Sequence, residues 1–276
     1  MNLKLDNVFY KYKEGEKTVL NGISFEMHTN KLGLIGSSGS GKSTLVHLLN
    51  GMKVPYHGEI MIDEQLINKN SKPRDLQNIR MDVAIVYQFT DLQLFAETVR
   101  KELVFACDNF GIVKENIDEE IEMYFEKFNL DLDCLKSSPF SLSGGQKKKV
   151  AIITMLLIEP KLLILDEPTV GLDPQSVTDI LQAIDELAQN GLKVIMICHD
   201  MNSVYQFCDH ILELHAGMKI FDGTKYDYFK LKYAKKQLLL LPSHLAYAAS
   251  IDSENVLYDK LYNGGNLADY IQERHV

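Results

Sequence analysis

One stretch constrains this chain more than any other: Gly36-Ser37-Ser38-Gly39-Ser40-Gly41-Lys42-Ser43, followed by Thr44. It fits G-x-x-x-x-G-K-[ST], in which glycines free backbone N–H groups to wrap phosphate oxygens at a helix N-terminus. Average composition would produce the pattern by chance in roughly 1 in 100 chains of this length, before its flanks are considered. Both flanks are present. Leu32-Gly33-Leu34-Ile35 reads as a strand leading in, and a helical stretch leads out from Ser43, with Gly51 placed to end it. In such a loop the lysine, Lys42, reaches the β and γ phosphates of a nucleotide, and Ser43 ligates magnesium.

A second run, Leu162-Leu163-Ile164-Leu165-Asp166-Glu167, ends a buried strand with two carboxylates. That places them at the edge where α/β sheets bind ligands. Phosphoryl transfer to water needs a metal to neutralise developing charge and a positioned base. Asp166 is the candidate for holding the metal, and Glu167 for taking the proton from water. Apolar runs at residues 83–87 (VAIVY) and 194–198 (VIMIC) supply further buried strands, as a parallel sheet requires. Helical patterns separate them, so the fold class is α/β.

The remaining segments arrange themselves around that sheet. Residues 1–35 alternate apolar and polar positions around the polar turn KEGEK (13–17), which predicts a small antiparallel sheet. Residues 91–160 read as an inserted helical lobe, with helical patterns at 101–105 and 116–129. From Lys225 the pattern changes again, opening with five lysines against one aspartate through Lys236 and broken by Pro242 and Gly264-Gly265. This tail is expected to be a separate appendage.

Composition narrows the partners. The 29 Lys and Arg against 38 Asp and Glu leave a net charge of -9, which argues against whole-surface attraction to nucleic acid or anionic lipid. Cys107, Cys134, Cys198 and Cys208 have neither disulfide-framework nor zinc spacing, so they read as reduced, cytoplasmic core residues. The N-terminus lacks a signal-peptide pattern, and no apolar run approaches the roughly 20 residues of a membrane-spanning helix.

Between the two phosphate motifs stands Leu142-Ser143-Gly144-Gly145-Gln146, which resembles the signature of ABC-type ATPases. Other features of that family fall in order. Gln88 follows a strand, Gly171-Leu172-Asp173 follows Pro168, and His199 ends the run VIMIC; these resemble the Q-loop, D-loop and switch histidine. The resemblance covers residues 1 to about 224. It implies a P-loop NTPase core with an antiparallel β subdomain, an inserted helical subdomain at about 91–160 and a C-terminal helical extension at 225–276. It also implies ATP and Mg2+, with magnesium on Ser43, Gln88 and Asp166 and catalytic roles for Glu167, His199, Gln88 and Lys42. The aromatic that stacks on adenine falls at Tyr12, with Tyr10 as the alternative. Residues Gly36 to Thr44 would hold the phosphates. Ser143, Gly144, Gly145, Gln146 and Asp173 would meet a nucleotide held by a second ATPase domain, so one copy of each motif implies a dimer. Physically, Ser143 and the two glycine amides can donate to a γ phosphate if they open a helix, and QKKKVAIITMLL supplies one.

Within the family, the segment Gln88-Phe-Thr-Asp-Leu-Gln93-Leu-Phe-Ala-Glu-Thr-Val99 resembles energy-coupling factor (ECF) transporter ATPases, whose QLF-x-x-TV follows the Q-loop. There a helix carrying this segment grips an integral membrane coupling subunit, and a C-terminal extension helps hold two ATPases together. The QLF form is more like the second of two paralogous ECF ATPases, which implies a heterodimer, a separate substrate-binding membrane subunit and a peripheral place on the cytoplasmic face of the membrane. An ATPase of another importer, for a metal or amino acid, or an ATP-switched regulator outside transport, are the alternatives. Three positions depart from the pattern. Thr90 stands where proline is frequent, which leaves the start of the coupling helix less fixed. Asn30 replaces a glycine turn, where asparagine tolerates a left-handed backbone. Lys147 to Lys149 replace a segment that usually contains arginine, and a bidentate contact would suit Lys149 less well.

Overall fold

The computed structural model describes residues 1–262, apart from 14, 16, 91–92 and 252–256. Parts of the KEGEK turn and the Gly264-Gly265 pair therefore lie outside the described residues. Strands β1 (Leu3–Tyr10), β2 (Leu20–Glu26), β3 (Lys31–Ile35), β4 (His57–Ile62), β5 (Gln65–Ile67), β6 (Val83–Val86), β7 (Leu162–Asp166), β8 (Lys193–Ile197), β9 (His210–His215) and β10 (Met218–Thr224) form two sheets. One is antiparallel, in the order β2-β1-β4-β5. The other runs β10-β9-β3-β8-β7-β6 and is parallel except for β10, which pairs antiparallel with β9.

The helices are α1 (Lys42–Leu49), α2 (Gln77–Asp82), α3 (Val99–Phe110), α4 (Ile117–Lys127), α5 (Gly144–Leu156), α6 (Pro174–Gln189), α7 (Met201–Phe207), α8 (Lys225–Ala234), α9 (Ser243–Ile251) and α10 (Tyr258–Tyr262). No helix among the described residues is long and apolar enough to cross a membrane.

Strands of the parallel sheet are buried on both faces, which is why they read as unbroken apolar runs. Alternate residues go to two cores. Val83 and Ile85 of β6 face the antiparallel sheet, joining Leu5 and Ile60. Ala84 and Val86 face the helical region, joining Leu103, Phe125 and Ile153. Each fully buried side chain of this size stabilises the fold by about 1.5–3 kcal/mol. The helical lobe is built by α3, α4, α5 and two short 3-10 turns, Leu132–Lys136 and Pro139–Ser141. Helix α1 ends at Asn50, with Gly51 at φ 69°, where a left-handed residue was expected.

The tail does not stand apart as an appendage. Tyr228, Phe229 and Tyr233 of α8, with Leu245 and Tyr258 beyond it, are buried in the same core as Phe207 and Ile211. Lys232 of α8 also makes a buried ion pair with Glu213 of β9 at 2.8 Å. The lysines between those aromatics concealed an apolar stripe at helical spacing.

Candidate active site

Register sets the site. Leu34 of β3 and Asp166 of β7 both lie beside Ile197 of β8, so three parallel strands end at one level. The glycine loop leaves β3 there, the two carboxylates end β7, and His199 follows β8. They surround a cavity of about 550 Å³ lined also by Tyr12, Gln88 and residues Ser38 to Thr44.

The loop is shaped for an anion. Gly36 has φ 146°, and a Cβ there would lie 2.2 Å from the Leu214 carbonyl oxygen and 2.7 Å from Ser40 Oγ, so no other residue fits. Gly41 caps α1 with φ 105° and no side-chain acceptor, which leaves the first amides of α1 without a protein cap. Ser40 Oγ is buried with no hydrogen-bond partner among the described residues. Lys42 Nζ donates to the Gly36 carbonyl at 2.7 Å and the Ser37 carbonyl at 3.0 Å, arching back over the loop. Burial lowers its pKa, against the opposing fields of Glu167 and Asp166. Tyr12 Oη and Thr44 Oγ1 share a hydrogen bond at 3.1 Å, and the Tyr12 ring is half exposed at the cavity. Tyr10 is buried behind it, edge-on at 5.2 Å, so of the two candidate aromatics only Tyr12 lines the cavity.

Glu167 carries backbone strain. Its φ is 50°, a left-handed value that a non-glycine residue adopts at a cost of about 1–3 kcal/mol and keeps where the surroundings over-determine it. The Glu167 amide donates to the Ile197 carbonyl at 2.9 Å, and Oε2 accepts from the His199 amide at 3.3 Å. Oε1 lies 3.4 Å from His199 Nε2 and accepts no hydrogen bond among the described residues, leaving a buried lone pair free. Burial raises the pKa of Glu167 against the attraction of His199, and raises that of Asp166 against Lys42 and Lys148. A raised carboxylate is a better base, and the side chain is held by atoms it does not need for that task. Ser43, Asp166 and Gln88 offer the hard oxygen donors that magnesium prefers.

The segment after Gln88 corrects an expectation. Residues 93–98 are not carried on a helix: they form turns that lead into α3, whose N-cap is Thr98. The physical reason lies in side chains that the sequence did not reveal. Buried Glu102 accepts from the amides of Phe95 and Ala96 at 2.8 and 2.7 Å, and Gln93 Oε1 accepts from the Tyr87 amide at 3.0 Å. Thr90 is buried and its carbonyl accepts from the Gln93 and Leu94 amides at 2.9 and 3.2 Å, so a turn is fixed without proline. Asn30 likewise avoids the left-handed backbone; its side chain donates to the Ala188 carbonyl at 3.0 Å and its own carbonyl accepts from Val194. Lys149 makes a buried, single-oxygen ion pair with Asp179 at 2.6 Å, a contact lysine can supply.

The signature residues lie elsewhere. Ser143, Gly144, Gly145, Gln146 and Asp173 do not line the cavity. Ser143 caps α5 reciprocally with Gln146: the Gln146 amide donates to Ser143 Oγ at 3.3 Å, and the Ser143 amide to Gln146 Oε1 at 2.9 Å. Asp173 caps α6, accepting from the Ser176 amide at 2.9 Å and hydroxyl at 2.6 Å. A Cβ on Gly145 would sit 2.2 Å from Ser176 Oγ, so the glycine lets the two capped helix starts meet.

Strand-loop-helix geometry, an uncapped α1 N-terminus and paired carboxylates define a nucleoside-triphosphate hydrolase of the cassette type. The ABC transporter family profile matches residues 20–170, and the chain belongs to that family: it binds ATP with Mg2+ and hydrolyses ATP. It is 33% identical over 266 residues to the energy-coupling factor transporter ATP-binding protein EcfA2 of Streptococcus thermophilus, covering 95% of each chain. It is 39% identical over 236 residues to the protein of that name from Clostridium perfringens, covering 83% of this chain and 82% of the relative. Among solved structures, cbiO1 from Clostridium perfringens, part of the ABC transporter complex cbiONQ, superposes with a TM-score of 0.76 at 30% identity, over 90% of this chain and 98% of that one. A dimeric ATP-binding cassette in a post-hydrolysis state with ADP and Pi superposes with a TM-score of 0.71 at 26% identity, over 80% and 98%.

Proposed function

We propose that this chain is the ATP-hydrolysing subunit that energises uptake by a membrane transporter of the energy-coupling factor type, working as one half of an ATPase dimer. The observation that carries it is the division of the site: loop, carboxylates and histidine share one cavity, while Ser143 to Gln146 stand capped and outside it. A signature that serves no site of its own chain fits a nucleotide held by a second ATPase, here a paralogue. Residues 1–224 form the ATPase unit in this reading, and residues 225–276 contribute to the contact between ATPases. Leu239, almost fully exposed after α8, supports that contact.

In the closed dimer Lys42 leaves the loop carbonyls for the β and γ phosphates, the amides from Gly36 to Thr44 wrap them, and Tyr12 stacks on adenine. Ser43, Gln88 and Asp166 would hold magnesium, which when bound would neutralise charge on the phosphates. Glu167 accepts a proton from water as its oxygen attacks the γ phosphorus; the bond to the β-phosphate oxygen breaks, leaving ADP and phosphate. His199 orients Glu167 and donates to the γ phosphate.

The segment Gln93 to Val99 is read as the dock of the integral membrane subunit. Phe89, Phe95 and Phe105 are 66%, 56% and 43% exposed, and the last two meet edge-to-face at 4.5 Å. Exposed aromatics that begin at Phe89, next to Gln88, and continue onto α3 suit a contact that passes motion to a partner. The chain then sits peripherally on the cytoplasmic face, with solute selectivity in a separate membrane subunit.

Glu167→Gln tests the reading. Positioned bases contribute about 10²–10⁴-fold, so single-turnover hydrolysis in the assembled transporter should fall on that scale while ATP binding persists. Undiminished single-turnover hydrolysis in that variant would remove Glu167 from the mechanism.

A further inference from the structure

One buried charge has no role in that chemistry. Lys148 of α5 is 3% exposed, and its Nζ donates to the Tyr87 carbonyl at 3.2 Å and the Gln88 carbonyl at 2.8 Å. No carboxylate among the described residues lies within ion-pairing distance, whereas the adjacent Lys149 is paired with Asp179. Burial lowers the Lys148 pKa to about 8, with the more distant Asp166 and Glu167 opposing. An unpaired buried ammonium is unfavourable unless its hydrogen bonds are well used.

They are used at a particular place. Strand β6 ends at Val86, opposite Leu165, so the next two carbonyls have left the ladder. Those carbonyls flank the Cα of Gln88. The ammonium therefore holds the backbone on both sides of one residue, while Gln93 Oε1 takes the amide of Tyr87 just before it. Two such points fix where the Gln88 side chain is aimed.

We propose that Lys148 is a positioning residue for Gln88, holding its amide toward magnesium and tying that aim to the helix that opens with Ser143. This rests on the reading of Gln88 as a magnesium ligand. The consequence is a link between two nucleotides. Helix α5 carries Ser143 to Gln146 at its start and Lys148 one turn later, so a tilt of α5 on meeting the partner's nucleotide moves the support of Gln88 in this chain's own site.

The test uses the full-length chain and a fluorescent ATP analogue, with affinity measured in magnesium and in EDTA. Lys148→Met should leave the metal-free affinity unchanged and shrink the tightening caused by magnesium about 10-fold, the scale of outer-sphere losses. Lys148→Arg, which keeps the donors, should restore it. Lys148→Gln, shorter and still polar, should lose part of it and serves if the methionine variant does not fold. Lys149→Met should lower the melting temperature through the lost Asp179 pair and leave the magnesium effect alone. Full magnesium tightening in Lys148→Met and Lys148→Gln, with loss in Gln88→Ala, would overturn the role of Lys148. Full tightening in Gln88→Ala as well would show that the ligand reading itself is wrong, and the proposal falls with it.

Discussion

At the phosphate loop, Lys42, Asp166, Glu167 and His199 converge on one cavity, with Lys42 and Glu167 buried and Glu167 on a left-handed backbone. At the signature, the chain completes only a shape. Ser143 and Gln146 satisfy each other, Asp173 satisfies Ser176, and Gly145 keeps the two helix starts in contact. In the proposed reading the first region acts on what it holds, and the second presents amides to a nucleotide outside the chain. In the proposed composite site, backbone strain falls at Glu167, whereas the signature opens a helix whose start is capped by Ser143 and Gln146.

Substitutions on the two sides should therefore fail differently. Lys42→Ala should have the largest effect on binding, weakening ATP affinity of this chain by about 3 kcal/mol, roughly a hundredfold, because phosphate charge loses a buried cation. Titration calorimetry checks it, and unaltered affinity would break the distinction at the loop. Gly145→Ala should act through the fold: the added methyl overlaps Ser176, and overpacking of this kind costs about 1–3 kcal/mol in urea denaturation. ATP affinity of the isolated chain should stay the same.

A smaller effect sharpens the account of strain and burial at Glu167. Its folded pKa lies above the ordinary value of 4.5, so the native state holds more protons than the unfolded one as pH rises past that value. Stability is therefore lost with rising pH across that window. Glu167→Gln removes the loss and should melt a few degrees higher than the parent at neutral pH, with the gain vanishing below the ordinary glutamate range. A variant that melts lower at neutral pH would show that the carboxylate stabilises the site.

Much of this was legible in the sequence because the determinants are local. Each of Gly36, Asp166 and His199 follows an apolar run, and in a parallel sheet that pattern places a residue at the carboxyl edge. Strands β4, β5, β9 and β10 were not read: β5 has three residues, β10 is largely exposed, and although β4–β5 and β9–β10 are local hairpins, β4 and β9 join their sheets by pairing with the distant β1 and β3. Lys148 was invisible for a different reason. In a run of three lysines the sequence singles out only Lys149 for a contact, and the fold shows that Lys148 is buried beneath Gln88 and Lys149 against Asp179. The turns before α3 likewise depend on Glu102, whose burial no periodicity announced.

In the proposed dimer, the signature of this chain serves a nucleotide held by another subunit. Ser143→Arg, placed on the exposed start of α5, tests it most directly when two quantities are measured in parallel: ATP affinity of the isolated chain, and hydrolysis by the assembled transporter. Affinity of the isolated chain should stay parental, and hydrolysis by the assembly should fall. A comparable loss of ATP affinity in the isolated chain would contradict it, because Ser143 would then belong to this chain's own site.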